Sequence, residues 1–166
     1  MERKGAVTMK GNPMTLVGSE VKVGEKAPEF TVLDQTLQPV KLSDYAGKTV
    51  VISVTPSLDT PVCDFQIRKF NSEVANKDNV VVLNISMDLP FAIKRFCSVA
   101  EIADAVALSD HRDASFGEAF GMTIKELRLL ARGVFVVDAA GILTYAEVVP
   151  EATDAPDYDK LVAFLG

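Results

Sequence analysis

The chain has few of the residue types from which reactive protein sites are commonly built. Its 166 residues include two cysteines, one histidine and no tryptophan. Two widely spaced cysteines and one histidine are a weak signal for a zinc site, so no metal is expected. The histidine, His111, lies in a polar run that is typical of a surface loop, which disfavours a cysteine protease with an imidazole base.

Long hydrophobic runs are also missing. Runs such as Val80–Leu83 and Val134–Val137 fall far short of the roughly 20 apolar residues that span a bilayer. Residues 1–5 lead into short alternating segments, which predicts no secretory signal. We therefore expect no membrane association and a cytoplasmic location, where a disulfide is more often transient or catalytic than structural.

Positive charge is scarce and is not clustered. Lys and Arg number 17 against 23 Asp and Glu, which gives a net charge of −6. Binding to nucleic acid is therefore not expected. The length and a hydrophobic content of 48% suit one domain with a sizeable core, so residues 1–166 are predicted to form a single domain.

Short apolar segments separated by turn residues predict the secondary structure. An N-terminal β-hairpin is expected from Ala6–Met9 and Met14–Val17. Further strands are expected at Phe30–Leu33, Val40–Leu42, Lys48–Thr55, Asn79–Met87, Gly133–Val137 and Ile142–Val149. Helices are expected near Thr60–Asn76, from Asp88 as N-cap through Cys97, at Ala114–Phe120 and at Pro156–Leu165.

The order of these segments indicates an α/β fold. A strand–helix–strand–helix run, followed by a hairpin and a last helix, predicts a mixed central sheet with helices on both faces. This is the order of a thioredoxin-like fold with an N-terminal β-hairpin extension. Periodicity does not give the order of the strands within the sheet.

Cys63 is the first candidate for chemistry, because it follows a predicted buried strand and lies in the first turn of a predicted helix. Free N–H groups and the positive end of a helix favour a thiolate there, and Thr60 adds a hydroxyl. Asp59 and Asp64 oppose the anionic form, so a cation from a distant segment is needed. Position alone leaves a reactive thiol and a buried, inert thiol both open.

Spacing excludes two other classes of reactive thiol. A Cys-x-x-Cys motif needs a second cysteine at position 66, which is Gln66. A phosphatase loop of the Cys-x5-Arg type needs an arginine at position 69, which is Lys69. No Gly-rich phosphate cradle accompanies Cys63 either.

Several motifs, in order along the chain, resemble one family. Gly24-x-x-Ala27-Pro28-x-Phe30 followed by Pro56-x-x-x-Thr60-x-x-Cys63 is the signature pattern of peroxiredoxins. More narrowly, bacterial thiol peroxidases, an atypical two-cysteine branch of the peroxiredoxins, are similar at Ser57–Cys63, Phe70–Asn71, Ser86–Ala92, Lys94–Cys97 and Leu129–Arg132. The resemblance covers nearly the whole chain.

The resemblance implies a thiol-dependent peroxidase that reduces hydrogen peroxide and organic hydroperoxides without a metal or an organic cofactor. Cys63 matches the peroxidatic cysteine and Cys97 the resolving cysteine, which implies an intrachain Cys63–Cys97 disulfide. Thr60 matches the threonine that contacts thiolate and peroxide, Arg132 the arginine that stabilises both, and Pro56 the proline that shields the thiolate from water. The family also implies reduction by thioredoxin and a homodimer.

The sequence leaves alternatives open for the two cysteines and for four phenylalanines. A redox sensor would use the same disulfide to signal peroxide to a partner. A structural disulfide closing a loop of about 35 residues would add on the order of 3–4 kcal/mol, but the expected compartment argues against it. The phenylalanines either line an apolar mouth for alkyl hydroperoxides or belong to the core: Phe91, Phe96, Phe116 and Phe120.

Overall fold

The computed structural model describes residues 1–74, 77–100 and 105–166. Within these ranges the chain forms eleven strands and four α-helices. The strands are β1 (Glu2–Met9), β2 (Asn12–Val17), β3 (Thr31–Leu33), β4 (Pro39–Lys41), β5 (Thr49–Val54), β6 (Val80–Ser86), β7 (Val106–Ser109), β8 (Thr123–Ile124), β9 (Leu129–Leu130), β10 (Gly133–Val137) and β11 (Leu143–Val148). The helices are α1 (Pro61–Glu73), α2 (Pro90–Val99), α3 (Ser115–Phe120) and α4 (Tyr158–Leu165), and Leu42–Tyr45 adds a 3-10 turn.

A seven-stranded mixed sheet forms the centre of the molecule, in the order β11-β10-β5-β6-β7-β3-β4. Strands β5, β6 and β7 run parallel, and β10 pairs with β5 antiparallel. The parallel strands are apolar on both faces because both faces are covered, which explains their continuous rather than alternating hydrophobic pattern. The carboxyl ends of β5 and β6 therefore open on the same edge of the sheet.

Helices cover both faces of this sheet. On one face, Val51 and Val82 pack in a cluster with Phe70 of α1 and Leu161 of α4. On the other face, Ile52 and neighbouring strand residues pack against α3 and the N-terminal strands. The predicted mixed sheet with helices on both faces is confirmed.

The N-terminal hairpin, also confirmed, belongs to a second sheet of order β1-β2-β8-β9. Its strands are longer than the sequence predicts, and β2 pairs with β8 through Leu16 and Ile124. The two-residue strands β8 and β9 and the four-residue β7 are absent from the predicted set. The strands β8 and β9 hold a single period of alternation, so no pattern distinguishes them from loop.

Two of the four phenylalanines lie in the core. Phe116 and Phe120 of α3 stack on each other at a centroid distance of 4.7 Å, and both make edge-to-face contacts with Phe30 and Phe135. Because both side chains are fully buried, they line no mouth. The core interpretation is correct for this pair.

The sequence predicts Asp88 as the N-cap residue of α2, and this prediction is wrong by one residue. Leu89, not Asp88, is the N-cap residue, and its extended backbone leads into Pro90 at the first helical position. A hydrophobic N-cap makes no side-chain hydrogen bond here. The Asp88 carboxylate instead accepts hydrogen bonds from the loop between β5 and α1, residues 55–60, which leads to Cys63 and is called the Cys63 loop. Helix α1 ends at Glu73, and the last predicted helical residues, 75–76, lie outside the described residues.

Candidate active site

Cys63 lies in the first turn of α1, where the helix is capped by a side chain. The Oγ1 of Thr60, the N-cap residue, accepts a hydrogen bond from the N–H of Cys63 at 3.3 Å, and Pro61 occupies the first helical position. Both features are typical of a well-formed helix start. The Cys63 side chain is completely buried. The predicted placement of this thiol in the first turn of a helix is thus confirmed.

A buried arginine supplies the cation that the site needs. Arg132 is 2% exposed, and its Nη2 lies 3.0 Å from the Sγ of Cys63. A hydrogen bond between a guanidinium and a sulfur favours the anionic thiolate, more so where water is excluded. Of the two neighbouring carboxylates, Asp59 is exposed and Asp64 half-buried, so water screens their charges.

Strand pairing explains how a residue so far along the chain reaches the thiol. β10 runs antiparallel to β5, with Gly133 opposite Val54. Arg132 directly precedes Gly133, so it lies beside the end of β5, from which a loop leads to Cys63 in the first turn of α1. The arginine and the cysteine thus meet at the edge of the sheet where β5 ends.

Glycine is required directly after the arginine. A Cβ on Gly133 would lie 2.6 Å from the carbonyl oxygen of Glu147 on β11 and 2.9 Å from Cε of Met122. The first of these atoms is backbone in a paired strand, so it cannot move aside cheaply. The close approach of β10 and β11 fixes the backbone from which the Arg132 side chain leaves.

The guanidinium is held on two further sides. Its Nε donates to the carbonyl oxygen of Ala152 at 2.9 Å, and its Nη1 donates to Oε1 of Gln66 at 2.8 Å. The Gln66 amide in turn donates to Oγ of Ser53 at 2.7 Å. These contacts fix the plane and the position of the guanidinium before any substrate arrives.

Gln66 is a site residue that the sequence analysis missed. Its side chain is fully buried, one helical turn after Cys63 and on the same face of α1. A polar side chain on the apolar stripe of a helix was the available signal, since a buried amide needs hydrogen-bond partners. The sequence shows at this position only that a Cys-x-x-Cys motif is absent.

Thr60 is the N-cap residue of α1, at the predicted start of the helix, and Pro56 lies in the loop before it. Pro56 is buried two residues after the end of β5. The Thr60 hydroxyl accepts from the Cys63 N–H and donates to the carbonyl oxygen of Ser57 at 3.4 Å. The donor bond is long, so this hydroxyl hydrogen is weakly held and can turn toward another acceptor.

The Asp88 carboxylate ties this loop to the segment that begins α2. It accepts hydrogen bonds from Oγ of Ser57 at 2.7 Å, from the N–H of Leu58 at 2.7 Å and from Oγ of Ser86 at 3.1 Å. Ser109 donates to the carbonyl oxygen of Asp88. One carboxylate between β6 and α2 therefore fixes the backbone that precedes Cys63.

Cys97 lies on α2, away from the guanidinium, in an apolar cluster. It is 1% exposed and packs with Leu58, Ile67 and Ile93. Burial raises the pKa of the Cys97 thiol, so it stays protonated in this state. Both cysteines are free thiols here. Ile67, one turn beyond Cys63 on α1, connects the surroundings of the two cysteines.

A groove of about 830 Å³ runs between the Cys63 loop, α1 and α2. Phe91, Phe96 and Val99 of α2 line one side, and Arg68 of α1 lines the other. The ring of Phe91 is 68% exposed. Of the four phenylalanines considered in the sequence, these two from α2 are therefore the pair beside the Cys63 loop.

The part of the chain that the structure describes offers neither a metal-binding cluster nor a membrane-spanning helix. No group of three or more His, Cys, Asp or Glu side chains in that part of the chain is arranged to hold a metal ion. No helix within the described ranges is long and apolar enough to cross a membrane.

The sequence matches known proteins over nearly its whole length. The family model described as Redoxin matches residues 22–162. The thiol peroxidase of Halalkalibacterium halodurans is 60% identical over 157 residues, which cover 95% of each chain. The thiol peroxidase of Bacillus subtilis is 58% identical over 154 residues, 93% of this chain and 92% of the relative.

Solved structures have the same fold. A peroxiredoxin-like protein from Aquifex aeolicus superposes with a TM-score of 0.90 at 41% identity, covering 98% of this chain and 97% of the other. A thiol peroxidase from Chromobacterium violaceum superposes with a TM-score of 0.86 at 19% identity, covering 96% and 94%. The second likeness speaks for the fold alone, and together they confirm the predicted thioredoxin-like class.

Proposed function

The chain belongs to the redoxin family and is a thiol peroxidase, and from that premise we propose that Cys63 attacks the peroxide and Cys97 resolves the product as a disulfide. The observation that carries the proposal is the 3.0 Å contact between Nη2 of Arg132 and Sγ of Cys63. It gives one of the two thiols, and not the other, a buried cation.

In the first step the Cys63 thiolate attacks one peroxide oxygen. The new S–O bond forms as the O–O bond breaks, and the electron pair of that bond leaves with the second oxygen. The sulfur is oxidised by two electrons to a sulfenic acid, and the peroxide is reduced to water or an alcohol once the leaving oxygen takes a proton. Arg132 stabilises the negative charge on the sulfur and on the oxygens as it moves.

Two loop residues assist this step. The Thr60 hydroxyl turns its hydrogen from the Ser57 carbonyl toward the thiolate or the peroxide. Its oxygen continues to accept the hydrogen bond from the Cys63 N–H. Pro56 is buried at the end of β5 and has no N–H, so it adds an apolar wall that keeps water from the thiolate.

In the second step the Cys97 thiol condenses with the sulfenic acid. An S–S bond forms, the S–O bond breaks and water leaves. A disulfide needs Cα atoms within about 7 Å, and the two cysteines start as free thiols on separate helices. We propose that the first turn of α1 and helix α2 open locally in each cycle to bring the two cysteines within this distance.

The remaining parts of the cycle rest on the family. We propose that thioredoxin reduces the Cys63–Cys97 disulfide, becoming oxidised itself. We further propose that residues 1–166 act as one domain, in a cytoplasmic homodimer, without a metal or an organic cofactor.

Intact mass separates this cycle from its alternatives. One equivalent of hydrogen peroxide should lower the mass of the reduced protein by two hydrogens, with a Cys63–Cys97 linkage in the peptide map. Thioredoxin, its reductase and NADPH should then sustain many turnovers. Oxidation without sustained turnover supports a peroxide sensor instead, and a disulfide present before any peroxide is added supports a structural one.

Asp88 gives a prediction about the opening. Asp88→Ala removes three hydrogen bonds to a charged acceptor, so the Cys63 loop and the start of α2 separate more easily. We expect disulfide formation after oxidation to be about tenfold faster. Rapid quenching with a thiol-alkylating reagent, followed by mass spectrometry, follows the sulfenic acid and the disulfide separately.

Asp59→Ala is the matched control, because it removes an exposed carboxylate from the same loop. It should leave the rate of disulfide formation within twofold of the parent protein. Amide exchange in residues 61–65 and 91–98 should rise in Asp88→Ala and stay unchanged in the control. An unaltered rate of disulfide formation in Asp88→Ala would show that this carboxylate does not limit the opening.

A further inference from the structure

Tyr158, the first residue of α4, carries a polar atom that nothing in the fold accounts for. Its hydroxyl is buried, and it makes no hydrogen bond with any residue that the structure describes. A buried hydroxyl without a partner is costly, so such groups are rare unless a ligand or water completes them. The mechanism above gives this phenol no role.

The phenol lies against the helix that carries the thiol. Its ring makes edge contacts with Phe65 and Phe70 of α1, at centroid distances of 5.8 and 5.4 Å. Phe70 lies two helical turns after Cys63, on the same buried face of α1. The Arg132 Nε–Ala152 contact brings the segment leading to α4 against the guanidinium. Tyr158 thus packs against the helix that carries Cys63 and follows the segment that contacts Arg132.

Electrostatics agree with this placement. Burial raises the pKa of the Tyr158 phenol to about 12, while the charge of Arg132 lowers it and that of Cys63 raises it. The phenol stays protonated at physiological pH, and it can donate a hydrogen bond.

The leaving oxygen of the peroxide can accept a hydrogen bond from a donor other than Arg132. A guanidinium has five N–H groups, and three are engaged by Ala152, Gln66 and the thiol. The two remaining N–H groups belong to the same guanidinium, whose Nη2 contacts the attacking sulfur. The leaving oxygen lies on the far side of the breaking O–O bond and gains most of the charge.

We propose that the Tyr158 hydroxyl donates a hydrogen bond to the leaving oxygen of the peroxide. As the S–O bond forms and the O–O bond breaks, the electron pair goes to this oxygen, and the phenol stabilises it without giving up its proton. Solvent supplies the proton that completes the alcohol or water. The inference rests on the proposed role of Cys63 and deepens it, because it makes Tyr158 a catalytic residue.

Tyr158→Phe tests the inference, since it removes only the hydroxyl and keeps the ring contacts with α1. We expect the rate of Cys63 oxidation by hydrogen peroxide to fall about tenfold, the effect of losing one hydrogen bond to a developing charge. With peracetic acid, whose carboxylate leaves readily, the same variant should react within twofold of the parent protein. Rapid-quench mass spectrometry measures both rates.

Tyr145→Phe is the matched control. Tyr145 lies in the apolar cluster against which Tyr158 packs, and its hydroxyl is also buried without a hydrogen bond of normal geometry. Burial and the carboxylates of Glu147 and Asp157 raise its pKa to about 12, with no contribution from Cys63. This variant should react with both peroxides at the parent rate.

Two results overturn the inference. An unchanged rate with hydrogen peroxide removes any role for the hydroxyl, and an equal loss with both peroxides assigns Tyr158 to packing alone. Either result leaves Cys63 as the proposed nucleophile. If instead the parent protein itself fails to form a Cys63 sulfenic acid, the proposed function fails first.

Discussion

Cys63→Ser is expected to consume no peroxide at all. A serine oxygen is a far weaker nucleophile than a thiolate at neutral pH, and it cannot pass through a sulfenic acid. The change is nearly isosteric, so the capped start of α1 and the contacts of Arg132 with Gln66 and Ala152 should persist. Peroxide consumption with thioredoxin, reductase and NADPH is the measurement, with a melting curve to establish folding.

Cys97→Ser is the partner experiment, because it removes the other buried thiol. It should consume one equivalent of peroxide and stop, with one added oxygen on Cys63. The two variants then separate attack from resolution. If Cys63→Ser consumes peroxide at the parent rate, or if Cys97→Ser turns over with thioredoxin, the assignment of the two roles is wrong.

Arg132→Met is expected to slow Cys63 oxidation by about a hundredfold to a thousandfold. The loss has two parts: the thiolate loses its buried cation, and the charge that moves onto the peroxide loses a fixed donor. Methionine keeps much of the volume and leaves β10 unchanged. The rate of sulfenic acid formation, measured in the Cys97→Ser background, isolates this step from resolution.

Arg68→Met is the control for charge alone. Arg68 lies on α1 near the same loop, where it pairs with the exposed carboxylate of Asp64. Removing it also changes the net charge by one, but it should leave the oxidation rate within twofold. Arg132→Lys should be intermediate, since an ammonium keeps the charge but not the three directed contacts. A rate within threefold of the parent protein for Arg132→Met contradicts the proposed role.

The helices and long strands were predictable because each follows a local rule. Thr60 and Pro61 are typical of a helix start and stand at the beginning of α1. Gly121 is typical of a helix end and follows α3. Runs of β-branched residues indicate the buried strands. The strands β7, β8 and β9 were not predicted, because their extended conformation depends on pairing with neighbouring strands rather than on a pattern in their own residues.

The site was only partly predictable from the residues themselves. Local reasoning placed Cys63 at a helix start and required a distant cation, but it could not choose which one. The pairing of Gly133 with Val54, a tertiary fact, selects Arg132, and only the family resemblance anticipated it. Gln66 and Asp88 were misread because their polar groups satisfy partners far along the chain, not the nearest backbone.

The burial of Cys97 bears on how the protein is recycled. In the proposed cycle, forming the disulfide withdraws this side chain from its cluster with Leu58, Ile67 and Ile93, and those apolar groups then become accessible. A reducing partner can therefore distinguish the oxidised protein from the reduced one by these exposed apolar side chains, before thiol exchange begins. In the reduced form Leu58, Ile67 and Ile93 are buried, so in the proposed cycle this surface belongs to the oxidised protein alone.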